Sequence, residues 1–365
     1  MKLISRPVII VGAGARKYKL EIQEFVEKYK LPMFLSWAAL DLFPDDYKYN
    51  MRDFGVTSQR AGNLIINNAD LIIVLGSRMD THHIPEFKNL KAKKLMVDVD
   101  FDEIKHHKAV RYKWIPAFLK EYQFESTFQG WTNRCRKLRD KYPICKPEYY
   151  EDRMNPYAFL TELSKKTPSG WSIVSDAGQT LTWTFQSWIV KENQRLFTAF
   201  NNSPMGYALP ASIGAAYAGM KSMCITGDGG LMMNVQELQT VVGQGIPVKI
   251  FVLDNDGYGM IKQTQSDWDA LENDVACDSK TGLTFPKWRR LAFGYGLHYT
   301  EISKEKHFKK IDKILKSNRP EFCVVKLSES RIEPKLKYGD KFYDQTPKLS
   351  EEKINEINKF LKTGR

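Results

Sequence analysis

Two short blocks of the 365-residue sequence hold residue types and spacings that could do chemistry. The first is Ile225-Thr226-Gly227-Asp228-Gly229-Gly230, and the second runs from Phe251 through Asp254-Asn255-Asp256-Gly257 to Tyr258-Gly259. Each reads as an apolar strand entering a turn. In an open parallel sheet, ligands gather where loops leave the carboxyl ends of strands. Asp228 and Asn255 stand at two such ends and present one carboxylate, one amide oxygen and free backbone carbonyls. These are hard oxygen donors suited to Mg²⁺, which is commonly shared with substrate phosphates. Gly229 and Gly230 open the following helix, where the lack of side chains lets a diphosphate approach backbone N–H groups. A lone Gly-Asp-Gly is an ordinary turn; Asn255, one strand further on, makes it a metal-site reading.

The elements that must position these loops follow from the apolar pattern. In the first segment, strands are predicted at Pro7–Val11, Met33–Leu35, Leu71–Leu75 and Lys94–Asp100. A helix is predicted with Leu20, Ile22, Phe25 and Val26 on its apolar face. A connecting stretch is read over 131–152. Asn155 then caps a helix with Pro156 in its first turn, and strands follow at Trp171–Ser175, Met223–Thr226, Val248–Leu253 and Phe322–Leu327. One helix carrying Met232, Met233, Val235, Leu238, Val241 and Val242 is expected between the two chemical blocks. Alternating strands and helices predict an α/β fold with two doubly wound parallel-sheet domains, at 1–130 and 153–330. Residues 331–365 read as a charged, surface-wrapping tail ending in an amphipathic helix with Ile354, Ile357 and Leu361.

Composition removes other classes. With 42% hydrophobic and 27% charged residues, the chain has material for sizeable cores and is not globally disordered. No run of about 18 apolar residues occurs, so no membrane-spanning helix is expected. The formal charge of +12 comes from 55 Lys and Arg against 43 Asp and Glu. It is spread thinly, without a nucleic-acid-binding signature, so no nucleic-acid partner is predicted. Five scattered cysteines lack Cys-x-x-Cys spacing, and they suit a reducing cytoplasm. The pairs His82-His83 and His106-His107 diverge as neighbours do and are assigned to the surface. Gly12-Ala13-Gly14 is followed by Lys17 where a dinucleotide fingerprint needs its third glycine.

The two blocks, with Gln236-Glu237-Leu238 and Tyr258-Gly259-Met260, resemble the motif of thiamine diphosphate (ThDP) enzymes. More narrowly, the chain is similar to the acetolactate synthase-like family of 2-oxo-acid enzymes. The likeness runs through Ser175-Asp176-Ala177-Gly178-Gln179, Met205-Gly206-Tyr207-Ala208-Leu209-Pro210 and Pro247-Val248-Lys249-Ile250 to Gln263. Arg6-Pro7-Val8-Ile9, Ala69-Asp70-Leu71-Ile72 and Gly76-Ser77-Arg78 resemble the family's middle domain. The resemblance implies a transferase or lyase acting on a 2-oxo acid such as pyruvate, with ThDP and Mg²⁺ as cofactors. It implies Mg²⁺ on Asp228, Asn255 and the Gly257 carbonyl, and the diphosphate on Gly178, Gln179, Thr180, Gly229 and Gly230. Ser203 and Met205 would support the aminopyrimidine, Met205 wedging the cofactor into a V. Tyr258, Gly259, Met260 and Ile261 complete the implied cofactor contacts.

The resemblance also carries departures. The family's ring-activating glutamate lies in an N-terminal pyrimidine-binding domain, and the chain begins a few residues before the middle domain. The expectation is half a site, completed by a separate pyrimidine-domain subunit, in a homo-oligomer or with such a partner; the alternative is an inactive, truncated relative or scaffold subunit. No catalytic residue is assigned within the chain. Thr264 stands where acetohydroxyacid synthases carry a tryptophan favouring 2-oxobutyrate, so branched-chain amino-acid synthesis is not expected. The middle domain of the synthases holds a structural FAD, and the resemblance leaves FAD open here.

Overall fold

The structure is a computed structural model and describes residues 4–80, 87–112, 114–150, 154–267, 275–328, 331–337 and 339–364. The chain divides into two units, one of Met1–Ile144 with Glu333–Arg365 and the other of Cys145–Ile332.

The first unit is built on five strands; those that are short apolar runs without alternation are covered on both faces, as parallel sheets require, while the last, at a sheet edge, is exposed to half-buried. They are β1 (Pro7–Val11), β2 (Met33–Leu35), β3 (Leu71–Leu75), β4 (Lys93–Val97) and β5 (Val110–Tyr112), all parallel in the order β2-β1-β3-β4-β5. Every residue of β1, β2 and β3 is buried. Strand β4 stops at Val97, earlier than the sequence suggests, because Asp100 caps the next helix by accepting from Asp102 N and Glu103 N.

Part of the stretch read as a connection is a helix, Gln129–Lys141, with Trp131, Thr132, Cys135 and Leu138 buried. Trp131 Nε1 donates to the Pro7 carbonyl at 2.9 Å. The C-terminal residues also belong to this unit. The helix Glu351–Thr363 buries Ile357 and Leu361, Arg134 Nε donates to the Leu361 carbonyl at 3.0 Å, and Asn68 Nδ2 donates to Asn358 Oδ1 at 2.8 Å. Gln345 is fully buried and donates to the carbonyls of Gly55 and Ser58. A surface-wrapping tail is therefore the wrong picture: residues 333–364 pack as part of this unit.

The second unit holds six parallel strands: β6 (Trp171–Ser175), β7 (Arg195–Phe197), β8 (Lys221–Gly227), β9 (Lys249–Asp254), β10 (His298–Ile302) and β11 (Glu321–Lys326). Their order is β10-β11-β9-β8-β6-β7. From β6 the chain crosses to β7 on one side and then to β8 on the other. The sheet thus has a topological switch point between β6 and β8, and there the loops leaving the carboxyl ends diverge to open a crevice. Asn155 caps the helix Pro156–Lys166 by accepting from Tyr157 N at 2.8 Å, with Pro156 at the first position as the sequence predicts. The helix expected after Asp228 is broken in two, Asp228–Met233 and Glu237–Gly243. The break frees Asn234, whose Nδ2 donates to the Gly206 carbonyl at 2.8 Å.

Both sheets are thus parallel and flanked by helices. Among the described residues no helix is long and apolar enough to cross a membrane. His107 corrects the surface assignment: it is buried, its Nε2 lies 2.8 Å from the Arg78 carbonyl, and its ring meets Phe87. His82 and His83 lie outside the described residues.

Candidate metal and diphosphate site

Three loops meet at the switch point of the second sheet. They follow β6 (Asp176–Gly178), β8 (Asp228–Gly230) and β9 (Asn255–Tyr258). The cavity between them is lined by Gly178, Gln179, Thr180, Ser203, Met205, Asp228, Gly229, Gly230, Asn255, Gly257, Tyr258, Gly259, Met260 and Ile261. Every site residue expected from the sequence is brought to this one crevice.

Asp228 is 2% exposed, and its carboxylate is held by the β8–helix turn on one side and the β9 loop on the other. Oδ1 accepts from Gly229 N at 2.6 Å and Oδ2 from Gly257 N at 3.0 Å. Burial pushes its pKa up to about 7, against the backbone N–H groups of Gly257, Gly229 and Asn255 that lower it, with the Asp254 charge adding to the rise. A buried carboxylate that is costly to ionise alone is well matched to a cation. Asn255 Oδ1 lies 3.3 Å from Asp228 Oδ2 and 3.0 Å from the Gly257 carbonyl oxygen. These acceptors converge with no donor between them. In an octahedral Mg²⁺ shell with bonds of about 2.1 Å, adjacent oxygens are about 3.0 Å apart. The spacing fits that shell, and the donor set suits Mg²⁺ better than a softer metal. Among the described residues no cluster of three His, Cys, Asp or Glu could hold a metal, so this mixed set is the candidate.

The Asn255 amide is aimed by a relay. Its Nδ2 donates to Gln179 Oε1 at 3.3 Å, and Gln179 Nε2 donates to Gln263 Oε1 at 3.1 Å. Gln263 Oε1 also accepts from Ile332 N at 2.9 Å. With its nitrogen turned to Gln179, Asn255 must turn its oxygen to Asp228. Gly259 makes room for the relay, since a Cβ there would run into Gln179 Oε1 and sit 2.5 Å from Asn255 Nδ2. Gly178 adopts φ 74°, the left-handed turn that starts the helix Gln179–Ser187.

A second buried carboxylate, Asp176, orders the Met205 loop. It accepts from Ala177 N (2.8 Å), Gly206 N (2.9 Å), Thr226 Oγ1 (3.1 Å) and Ala208 N (3.4 Å). Burial raises its pKa, and these donors oppose the rise. Met205 is held at the rim with its side chain 40% exposed beside Gly229. Asp176 lines the crevice and Gln263 lies behind Gln179, and sequence reasoning gave neither a role. The available signal was Asp176 ending an apolar strand and Gln263 one turn beyond Gly259.

In the first unit the Gly12–Gly14 loop does not fit a dinucleotide diphosphate. Gly12 N donates to the Leu75 carbonyl at 2.8 Å and Gly14 N to the Gly76 carbonyl at 3.0 Å, so the N–H groups such a ligand needs are already bonded. No flavin is assigned there.

A doubly wound parallel sheet with hard oxygen donors and open glycine turns at its switch point is the architecture of a ligand-binding α/β domain. Residues 176–326 match the thiamine pyrophosphate enzyme C-terminal TPP binding domain, and residues 2–117 match the thiamine pyrophosphate enzyme central domain. The chain belongs to the thiamine pyrophosphate enzyme family, in its acetolactate synthase-like branch. It is 27% identical over 357 residues to the acetolactate synthase isozyme 2 large subunit of Escherichia coli, covering 94% of this chain and 64% of that protein. It is 29% identical over 315 residues to the isozyme 1 large subunit (82% and 54%). With the acetolactate synthase large subunit of Lactococcus lactis it shares 27% over 346 residues (90% and 59%). The chain thus spans between half and two thirds of the length of these relatives.

Proposed function

We propose that this chain supplies the Mg²⁺–diphosphate half of a ThDP-dependent site that decarboxylates a 2-oxo acid such as pyruvate and transfers or releases the product. The observation that carries this reading is the placement of Asn255 Oδ1 3.3 Å from Asp228 Oδ2 and 3.0 Å from the Gly257 carbonyl oxygen in the switch-point crevice, close to the spacing of adjacent oxygens around Mg²⁺. Asp228, Asn255 and Gly257 hold the metal. The turns at Gly178–Thr180 and Gly229–Gly230 receive the diphosphate. Asp176 fixes the loop that sets Met205 beneath the cofactor, with Ser203 beside it, and Met260 and Ile261 give the crevice an apolar wall. ThDP, when bound, supplies the electron sink for the decarboxylation, and the protein's part is orientation.

The cavity of about 220 Å³ is smaller than the ~300–1,000 Å³ of complete ligand pockets, which supports a second wall from elsewhere. Among the described residues its carboxylates are Asp176 and Asp228, which are engaged in the frame and the metal site. No glutamate lines the crevice among the described residues, so a ring-activating glutamate would be contributed by a pyrimidine-binding domain packed against it. Thr264, whose hydroxyl turns back to the Met260 carbonyl at 2.8 Å, puts no large ring at this position, in keeping with an acceptor other than 2-oxobutyrate. All five cysteines are free, in keeping with a cytoplasmic setting.

Calorimetry with ThDP and Mg²⁺ tests the assignment. Wild-type chain should bind one ThDP only with the metal present, and Asp228→Ala should abolish binding. Equal affinity in Asp228→Ala would refute it. Adding a pyrimidine-domain protein should then elicit pyruvate turnover; turnover by the chain alone would refute the half-site.

A further inference from the structure

The second unit holds another cavity, of about 580 Å³, at the opposite end of its sheet from the cofactor crevice. It lies where β6, β8 and β9 begin. Lys221 and Lys249 are the first residues of β8 and β9, while Lys166 and Lys316 end the helices Pro156–Lys166 and Lys309–Lys316. Lys166 is paired with Asp312 at 2.6 Å. Lys221, Lys249 and Lys316 have no carboxylate within ion-pair distance among the described residues, which leaves the cavity with a surplus of positive charge.

Lys249 is the telling member. It is 2% exposed, and its ammonium makes one hydrogen bond, to the Arg319 carbonyl at 2.6 Å, leaving two of its three donors without an acceptor. The nearest candidate counter-charge is Glu321, opposite Lys249 on β11, and that carboxylate is already held by His298 Nδ1 at 2.5 Å and Arg319 Nε at 3.3 Å. A buried ammonium left with idle donors is costly. Burial accordingly lowers its pKa to about 8. Lys166 and Lys316 also complement the carboxyl ends of their helices, but Lys221 and Lys249 serve no helix. Trp171, Pro247 and Leu315 give the same cavity apolar walls.

We propose that this cavity binds a phosphate-bearing small molecule, its multiply charged end met by Lys221, Lys249 and Lys316 and its ring or apolar body lying against Trp171 and Pro247. Several separate ammonium groups suit a group with several anionic oxygens, which lysines bind as point charges. A concave, partly apolar pocket suits a small molecule.

The test is calorimetry on the full chain in EDTA, so that the magnesium-dependent crevice stays unloaded, with inorganic tripolyphosphate and ATP as probes. The expected result is saturable one-site binding, tighter for ATP than for tripolyphosphate. It should weaken at least tenfold in the double variant K221Q/K316Q, whose side chains are exposed, and stay unchanged in D228A. The proposal is overturned if neither probe saturates, or if binding survives K221Q/K316Q and is lost in D228A. ATP binding no tighter than tripolyphosphate would overturn the assignment of the apolar wall.

Discussion

The substitution Gly259→Ala examines the amide relay without replacing any metal ligand. Gly259 does not need the left-handed region, so alanine is compatible with its backbone. Its Cβ, however, would stand 2.5 Å from Asn255 Nδ2 and inside Gln179 Oε1. A carbon–nitrogen contact relaxes at about 3.4 Å, so the Asn255 amide must retreat by about 0.9 Å or Gln179 must swing away. Metal–ligand distances tolerate about 0.2 Å. Either movement costs Mg²⁺ the Asn255 oxygen, an interaction with a charged group worth about 1.5–3 kcal/mol. At 1.4 kcal/mol per factor of ten, ThDP affinity at fixed Mg²⁺ should fall about 10- to 150-fold. Calorimetric titration measures this directly, and thermal unfolding should change little because the helix Gly259–Asp267 is not disrupted. Wild-type affinity in Gly259→Ala would show that the Gln179–Asn255 contact does not set the metal site.

Asp176→Asn keeps shape but replaces an acceptor with a donor facing Gly206 N or Thr226 Oγ1 and Ala208 N. It should cost ~1–3 kcal/mol of stability by chemical denaturation and weaken ThDP binding, with Asp228→Asn as the comparison that abolishes binding outright. Lys249→Met should stabilise the protein by ~1–3 kcal/mol at pH 7. The pKa falls from 10.5 when unfolded to about 8 when folded, so the charge penalty is fully present below pH 8. The gain should therefore shrink as pH rises from 8 towards 10.5, and a gain independent of pH in denaturation curves would contradict this. Leu361→Ala, at a fully buried position of the last helix, should cost ~2–4 kcal/mol. A neutral result by chemical denaturation would return the C-terminal residues to the surface.

The strands legible in the sequence are mostly those whose neighbours cover them on both sides. β1, β3, β8, β9 and β11 are continuous apolar runs because both faces and both edges are buried. β5, β7 and β10 went unread, and all three are sheet edges with exposed or half-buried residues: Val-Arg-Tyr, Arg-Leu-Phe and His-Tyr-Thr-Glu-Ile. Burial on one side leaves too little apolar pattern in three to five residues. Residues 178–180, Ser203, Met205 and residues 257–261 came only through the family resemblance, whereas Asp228, Asn255, Gly229 and Gly230 were legible from their place at the ends of apolar strands. The partners that aim them were not, since Asp176 and Gln263 act through hydrogen bonds to loops distant in sequence. The return of residues 333–364 to the first unit rests on contacts such as Arg134 with Leu361, which no local periodicity encodes.

The most direct measurement is the anomalous diffraction of crystals grown with ThDP and Mn²⁺ in place of Mg²⁺. The account predicts one peak, about 2.2 Å from each of Asp228 Oδ2, Asn255 Oδ1 and the Gly257 carbonyl oxygen, with the diphosphate over Gly229 and Gly230. A metal bound elsewhere, or ThDP seated without touching these three oxygens, would contradict it.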